Sequence, residues 1–536
     1  MNLALYGLGS DGRGDWLCVD MGVAFADNEL PGIDLIMPDI RFLEEERRSL
    51  AGIVLTHAHE DHFGALFDLW PRLKAPVHAT PFTAALIAAK QLGEPGAPEI
   101  PIKVVQPGAR VNVGPFEVEF IPVAHSIPES HALAIRTPLG LVVHTGDWKL
   151  DPAPIIGKPT DEKKFRALGE EGVRAVICDS TNAVREGESP SESDVAKSLA
   201  EIVREAKGRV GLTTFASNVA RLRSAALAAA ETGREVVVVG RAMERVINVA
   251  REMRLLDGVP PFRSADAFHA LPRDRVLVLL TGSQGEPRAA LARIAGDDHP
   301  EIGLDRGDTV IFSSRTIPGN EKAVNRILNS LISQGIEVIT DRTRLVHVSG
   351  HPRRGELARM YEWLKPEVVV PVHGEALHLS ENAALARSLG IKEVVVCGNG
   401  DVVRLSPGPA QIIDEVPSGR LYRDGNLLVD AEARTVADRR KLGFAGVVSV
   451  AVAMSSRGDI VGDPWIEMTG LPIEIPREDT MEEVVMDAVS SALSSLPKAR
   501  RRDPAAVTQA IERSVRGAVN EVWGKKPLCH VLVLQV

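Results

Sequence analysis

The chain lacks the marks of several special protein classes. It has only four cysteines, Cys18, Cys178, Cys397 and Cys529, in 536 residues. They are scattered and sit mostly in apolar surroundings, so they read as buried thiols. Neither a disulfide framework nor a C-x-x-C zinc site is available, and a cytoplasmic location fits. No apolar run has membrane-spanning length, and no basic-then-apolar segment opens the chain, which argues against an anchor or a secretory leader. Positive charge is not in excess: 62 Lys and Arg against 72 Asp and Glu leave a net charge of −10. That excludes a globally basic coat for nucleic acid, so any nucleic-acid path must be a local groove. There is no internal repeat and no low-complexity tract.

What is present centres on Thr56-His57-Ala58-His59-Glu60-Asp61-His62. The apolar run Ala51-Gly52-Ile53-Val54-Leu55 before it reads as a buried strand, and Phe63 to Phe67 after it as the start of a helix. Three histidines and a carboxylate thus crowd together where a strand ends. Imidazole suits zinc and similar borderline metals, and carboxylate adds a harder ligand. Packed this tightly, the four groups solvate one another badly unless an ion sits among them, so a merely polar loop is the weaker reading. The pattern H-x-H-x-D-H resembles the signature of the metallo-β-lactamase superfamily at every defined position. The superfamily spans lactamases, thioesterases, lactonases, oxidoreductases and nucleases, so this likeness implies a fold and metals but no substrate. It also implies that Asp20, at the end of the strand Trp16-Leu17-Cys18-Val19-Asp20, supports the ligand loop from behind. The superfamily usually has a further strand and glycine turn before this hairpin, which suggests a late start site or a shortened N-terminus here.

Three more ligand-type residues fall at strand ends: His125 after Ile121-Pro122-Val123-Ala124, Asp147 in His144-Thr145-Gly146-Asp147, and His373 after Val368 to Val372. Each alone reads as a structural histidine or a capping aspartate. With the first motif they complete two sites: His57, His59 and His125 for one metal, and Asp61, His62 and His373 for the other. Asp147 bridges them. Two divalent ions about 3.5–4 Å apart can share a hydroxide and clamp a phosphate during in-line displacement. Zinc is the expected ion because histidine dominates, with manganese or magnesium possible. His131 and His144 read as structural.

Length predicts two or three domains. The polar stretch Glu186 to Ser193 marks a boundary. From Val195 to Thr340 helices and strands alternate, as in a parallel sheet covered on both faces. Helix 356–364, strand 368–372 and helix 377–389 follow. Beyond about Gly408 the texture changes to short strands and turns. A last unit has strands at 448–454 and 465–469, two helices and a final strand at 528–534. The first of those helices carries Met481, Val484, Val485, Ala488, Ala492, Leu493 and Leu496 on one face. The second opens on Asp503-Pro504, a cap followed by proline. The basic run Lys498 to Arg502 between them suits a helix C-terminus as well as it suits RNA.

Asp179-Ser180-Thr181-Asn182, Phe215-Ala216-Ser217-Asn218, Thr281 to Pro287, His347-Val348-Ser349-Gly350-His351 and Pro371-Val372-His373-Gly374-Glu375 resemble the β-CASP nucleases, and among them the bacterial ribonuclease J enzymes. The resemblance runs from Asn2 to about Leu405 and is less sharp beyond. It implies a metallo-β-lactamase αββα sandwich with an inserted β-CASP α/β domain and a small C-terminal α+β domain. The expected divisions are 1–190 and 352–430 for the two parts of the sandwich, 191–351 for the insertion, 431–447 for a linker and 448–536 for the last domain. The family's acidic motif falls on Asp179, its second motif on His351 and its third on His373. A histidine at the third is typical of RNA-processing members. The implied activity is 5′→3′ exonuclease and endonuclease cleavage of single-stranded RNA by two-metal hydroxide attack, leaving 5′-phosphate ends, in RNA decay and ribosomal RNA maturation.

On this reading Asp61, Asp147 and His351 are catalytic. Ala216, Ser217, Asn218, His347, Val348, Ser349, Gly350 and His351 bind RNA and hold a terminal 5′-monophosphate; they include the small donors that a phosphate pocket needs. Gly350 is expected to let the backbone approach that phosphate. Arg221, Arg241, Arg245, Arg315 and Arg344 read as an RNA path or as solvated surface charges. The C-terminal helix pair is expected to make a dimer or tetramer, and RNA-decay partners are possible. The alternatives are a small-molecule hydrolase of lactamase type, which the inserted domain counts against, and a non-catalytic RNA-binding scaffold, which the full ligand set counts against.

Overall fold

A computed structural model describes residues 1–10, 13–27, 29–476 and 479–536. The chain divides into two compact units, one formed by Met1–Ala24 with Ile36–Arg420 and the other by Phe25–Leu35 with Leu421–Val536.

The first unit starts from two β-sheets. One has five strands in the order Ala4–Ser10, Arg13–Val19, Leu50–Val54, Val77–Ala79, Ile102–Val104. The other has seven, in the order Glu393–Val394, Val368–Val372, Val173–Asp179, Gly140–His144, Ser130–Thr137, Phe116–Val123, Arg110–Val113. Alternating apolar positions from both sheets meet in one core: Leu17, Val19 and Val54 of the first with Val118, Phe120, Leu133 and Ile135 of the second. The outer face of the seven-stranded sheet is covered by helices Glu162–Glu171 and Arg354–Leu364 through Phe165, Leu168, Leu357, Tyr361 and Trp363. This is the expected sandwich.

Strand Val173–Asp179 leads out to the insertion, and strand Val368–Val372 returns parallel to it, with Asp179 opposite Val372. The register therefore sets Asp179 beside His373 although 193 residues lie between them in the chain. The inserted domain is a five-stranded, all-parallel sheet in the order Glu235–Val239, Val276–Leu280, Val210–Thr213, Thr309–Phe312, Glu337–Ile339. Its strands are continuous apolar runs because helices cover both faces.

In the second unit the strand Val447–Met454 buries every other residue and is flanked by Trp465–Thr469 and Leu528–Gln535. Helices Met481–Ser495 and Pro504–Trp523 cover one face. Two expectations change here. The stretch read as a linker contains a helix, Arg434–Ala445, of which only Val436 and Ala445 are buried. The apolar face of Met481–Ser495 is consumed inside the unit: Met481, Val485, Ala488, Ala492 and Leu493 pack with Val448, Val450, Val507 and Ile511. That face therefore offers nothing for self-association.

Candidate metal centre

The ligand-type residues sit at the ends of strands, where backbone leaves the sheets and side chains can converge. Thr56 follows strand Leu50–Val54, and its N–H and hydroxyl donate to the Asp20 carboxylate at 2.8 and 2.9 Å. Asp20 is held with φ +64° and His373 with φ +56°. Non-glycine residues rarely adopt this left-handed region, and it persists where surrounding contacts enforce it. Gly22 passes so close to Asp61 that a Cβ there would lie 1.7 Å from the Asp61 carbonyl oxygen.

Three of the imidazoles, His57, His62 and His125, have one nitrogen engaged from behind and the other turned inward, while both nitrogens of His373 face the carboxylates of its group. His62 Nδ1 lies 2.7 Å from Asp20 Oδ2, leaving Nε2 3.2 Å from Asp147 Oδ2. His125 Nδ1 donates to the Gly350 carbonyl at 2.7 Å, leaving Nε2 3.1 Å from His59 Nδ1. His57 Nδ1 lies 3.0 Å from the Thr56 hydroxyl and its Nε2 3.0 Å from His59 Nδ1. His373 Nδ1 lies 2.6 Å from Asp147 Oδ1 and its Nε2 3.6 Å from Asp61 Oδ2. Fixing the outer nitrogen sets ring orientation and leaves the inner one for a ligand.

Two groups have ligand atoms within 4.8 Å of one another: His57, His59, His125 and Asp147, and Asp61, His62, Asp147 and His373, with Asp147 in both. A third group, Asp147, Asp179, His351 and His373, meets the same limit and overlaps them. The donor chemistry fits metal ions. Burial drives His57 and His125 well below the usual histidine range and His59 to about 4, so all three are neutral imidazoles, the form that ligates. In the second group burial is outweighed by Asp147 first, which raises His62 well above that range and His373 to about 10. There Asp61 and Asp147, both held well below the usual carboxylate range against the cost of burial, demand positive charge.

In the third group His351 Nδ1 lies 2.8 Å from Asp179 Oδ2 and 3.9 Å from Asp147 Oδ2. Burial opposes its protonation, but Asp179 and then Asp147 raise it above the ordinary range. Ser349 Oγ accepts from Asn182 Nδ2 at 2.8 Å, and Asn182 Nδ2 also donates to the His351 carbonyl at 3.0 Å. Asn182 lay within a recognised stretch but carried no role from sequence; its partners are more than 160 residues away. Asn2, whose Nδ2 lies 3.2 Å from Asp61 Oδ2 and 3.0 Å from His62 Nε2, gave no signal at all.

Several expected residues take different positions. Gly350 is needed by His125: a Cβ would lie 2.5 Å from His125 Nδ1 and 2.8 Å from Ser126 Oγ. Asn218 is buried and spends its side-chain oxygen on the helix Val219–Glu231, accepting from Arg221 N at 2.9 Å. Val348 is buried, so only its backbone can meet a ligand. Ala216, Ser217 and His347 are half-buried, and His347 Nδ1 has no hydrogen-bond partner among the described residues. Arg221 is neither an RNA contact nor a surface charge: it is wholly buried against Glu192. Arg344 pairs with Glu201 and Glu205, while Arg241 and Arg315 are exposed and Arg245 is half-buried against Gly93. His144 Nδ1 meets the Tyr6 hydroxyl at 2.7 Å and His131 Nδ1 the Glu129 carbonyl at 2.7 Å; both lie outside the two groups, as structural histidines should.

Residues 14–241 match the metallo-beta-lactamase superfamily, 207–331 the ribonuclease J beta-CASP domain, 335–397 the Zn-dependent metallo-hydrolase RNA specificity domain and 434–536 the ribonuclease J C-terminal domain. A solved structure of an Enterococcus faecalis protein of unknown function shares the fold over 73% of this chain and 94% of that one, with TM-score 0.51 and 16% identity. Ribonuclease J of Thermus thermophilus is 36% identical over 93% of this chain and 91% of its own. That of Corynebacterium glutamicum is 39% identical over 97% and 72%. That of Sinorhizobium meliloti is 56% identical over 100% of this chain and 95% of its own. A likeness of that depth along the whole length means that the chain belongs to the ribonuclease J family.

Proposed function

We propose that the chain is a metal-dependent ribonuclease that shortens single-stranded RNA from its 5′ end and also cuts internally, leaving 5′-phosphates, in RNA decay and ribosomal RNA maturation. The observation that carries this is the sharing of Asp147 between two ligand groups directly beside the Asp179–His351 pair. His57, His59, His125 and Asp147 would hold one ion and Asp61, His62, His373 and Asp147 the other, with zinc the first choice and manganese or magnesium suited to the carboxylate-rich second group. When bound, two such ions supply Lewis acidity and an activated water.

The chain's own residues do the rest. His351 keeps a proton because Asp179 holds its Nδ1, and its other nitrogen is the donor for the leaving oxygen. Ser217, His347, Ser349 and the backbone of 216–217 and 348–350 bind the terminal 5′-monophosphate; Asn218, whose main-chain N–H is held by the Phe215 carbonyl, contributes through its side-chain NH₂. A triphosphate brings more charge and bulk than this compact set of donors satisfies. The proposed divisions are 1–24 with 36–190, then 191–351, then 352–420, and 25–35 with 421–536, so that helix Arg434–Ala445 joins the last domain rather than a linker. The four cysteines are free thiols, which suits a cytoplasmic enzyme.

Self-association as a dimer or tetramer is assigned to the C-terminal domain through its uncovered face, where Trp465, Leu532 and Leu534 are exposed. A chain ending at Gly446 is expected to scatter light as a smaller particle; an unchanged size sends the contact elsewhere. The central experiment is digestion of one RNA carrying a 5′-monophosphate, triphosphate or hydroxyl, with and without chelator. Mononucleotides released fastest from the monophosphate, and nothing released in chelator, is the expected result. Full activity in strong chelator overturns the metal mechanism, and equal rates on all three ends overturn the end pocket.

A further inference from the structure

Between the metal-side strands and the insertion runs a buried ionic chain that the reaction as described does not use. Lys149, Asp151, Glu192 and Arg221 are each no more than 3% exposed. Asp151, four residues beyond Asp147, accepts from the Ser191 hydroxyl at 2.6 Å and from the Glu192 N–H at 2.9 Å, where helix Glu192–Glu205 begins. Lys149 Nζ lies 3.0 Å from Asp151 and 3.8 Å from Glu192. Glu192 receives Arg221 Nη2 at 2.9 and 3.1 Å. Arg221 Nη1 donates to the carbonyls of Val346 at 2.8 Å and Ser313 at 3.1 Å.

Arg221 thereby touches both halves of the proposed end pocket without lining it. Its own N–H is held by Asn218, at the start of the helix that follows Ala216-Ser217. Its guanidinium holds Val346, the residue before His347. Stability alone does not explain the arrangement. The Val346 carbonyl already has a partner in the Ser313 hydroxyl at 2.6 Å, and buried ion pairs are often matched or bettered by apolar packing. What a rigid guanidinium fork does supply is relative position.

We propose that Arg221, anchored by Glu192, is a positioning residue that sets the spacing between the 216–218 turn and the 347–351 turn, and so the recognition of the RNA 5′ phosphate. The inference rests on the end-pocket reading above. It is tested with Arg221→Met and Arg221→Lys in the full chain. The readouts are kcat and KM on 5′-monophosphate and 5′-hydroxyl RNAs of one sequence, bound metal, and the melting temperature. Misplacement by a fraction of an ångström to an ångström is expected to reduce the monophosphate-to-hydroxyl ratio of kcat/KM about tenfold or more, mainly through KM for the monophosphate, with metal content unchanged. Arg221→Lys keeps the charge beside Glu192 but cannot hold Glu192 and Val346 together, so it loses the preference as well; it also carries the test if Arg221→Met does not fold. Equal losses on both RNAs with the ratio intact, or a wild-type ratio in Arg221→Lys, overturns the inference alone. No preference in the unaltered protein overturns the end-pocket reading first, and this inference with it.

Discussion

The metal side and the RNA side of the site are built from the same material, short polar turns at the ends of strands, but they are held in different ways. On the metal side three of the imidazoles are fixed from behind by a neighbour: His62 by Asp20, His125 by the Gly350 carbonyl, His57 by Thr56. On the RNA side Ser217 and His347 are half-buried, and the Nδ1 of His347, itself buried, has no hydrogen-bond partner among the described residues. The contrast follows from what each side must bind. An ion needs its ligand atoms placed to within a few tenths of an ångström, so the rings that ligate it are fixed in place. A phosphate end that arrives and leaves with each turnover needs donors left free, and their spacing must then come from elsewhere.

Removing what both sides share should have the largest effect. Asp147→Asn weakens the carboxylate common to both ligand groups and is expected to cost about 10³-fold or more in turnover, with lost metal measured by elemental analysis. If metal and activity survive, the two groups are not one centre. His351→Ala comes next. It removes the proposed proton donor while leaving both ligand groups whole, so turnover should fall roughly a hundredfold with metal content intact; a parallel loss of metal would make His351 a ligand instead.

Gly350→Ala is expected to be milder, about ten- to a hundredfold, but to act on the metal side. The added Cβ would sit 2.5 Å from His125 Nδ1, so either the ring or the turn shifts. Weakened metal affinity with an unchanged preference for 5′ ends is the expected pattern. A changed preference with full metal binding would return Gly350 to the phosphate, where sequence reading put it.

Gly350 also shows what was legible in the chain. The convergence of the ligand-type residues was, because metal chemistry selects both residue type and position at strand ends, and the apolar runs marking those strands are local signals. The parallel sheet of the insertion was legible for the same reason. Gly350 was not, because its constraint comes from His125, 225 residues away in the chain. Neither was Arg221: an arginine on a helix reads as a surface charge unless Glu192, Ser313 and Val346 are known to surround it. Asn218 was read as a phosphate donor because capping and anion binding draw on the same short polar residues. Helix Arg434–Ala445 was missed because its sequence is polar on most faces and buries little.

A milder change acts on stability alone. Asp151 belongs to the buried chain behind the RNA side and to neither metal group. Burial works against its carboxylate, but Lys149 first, then Ser191 and the Glu192 N–H, hold its carboxyl below the usual range. A carboxylate with a depressed folded pKa contributes stability above its unfolded value of about 3.9, and that contribution is lost as pH falls through the folded value. Asp151→Asn should therefore lower the melting temperature at pH 7, by an amount corresponding to about 2 kcal/mol for charge-assisted hydrogen bonds. Near pH 3 the gap should narrow, because the unaltered chain is by then giving up the same contribution. Metal content at pH 7 should not change. A gap of equal size at both pH values would mean that shape rather than charge secures this position, and a loss of metal would mean that the two sides of the site are held by one device after all.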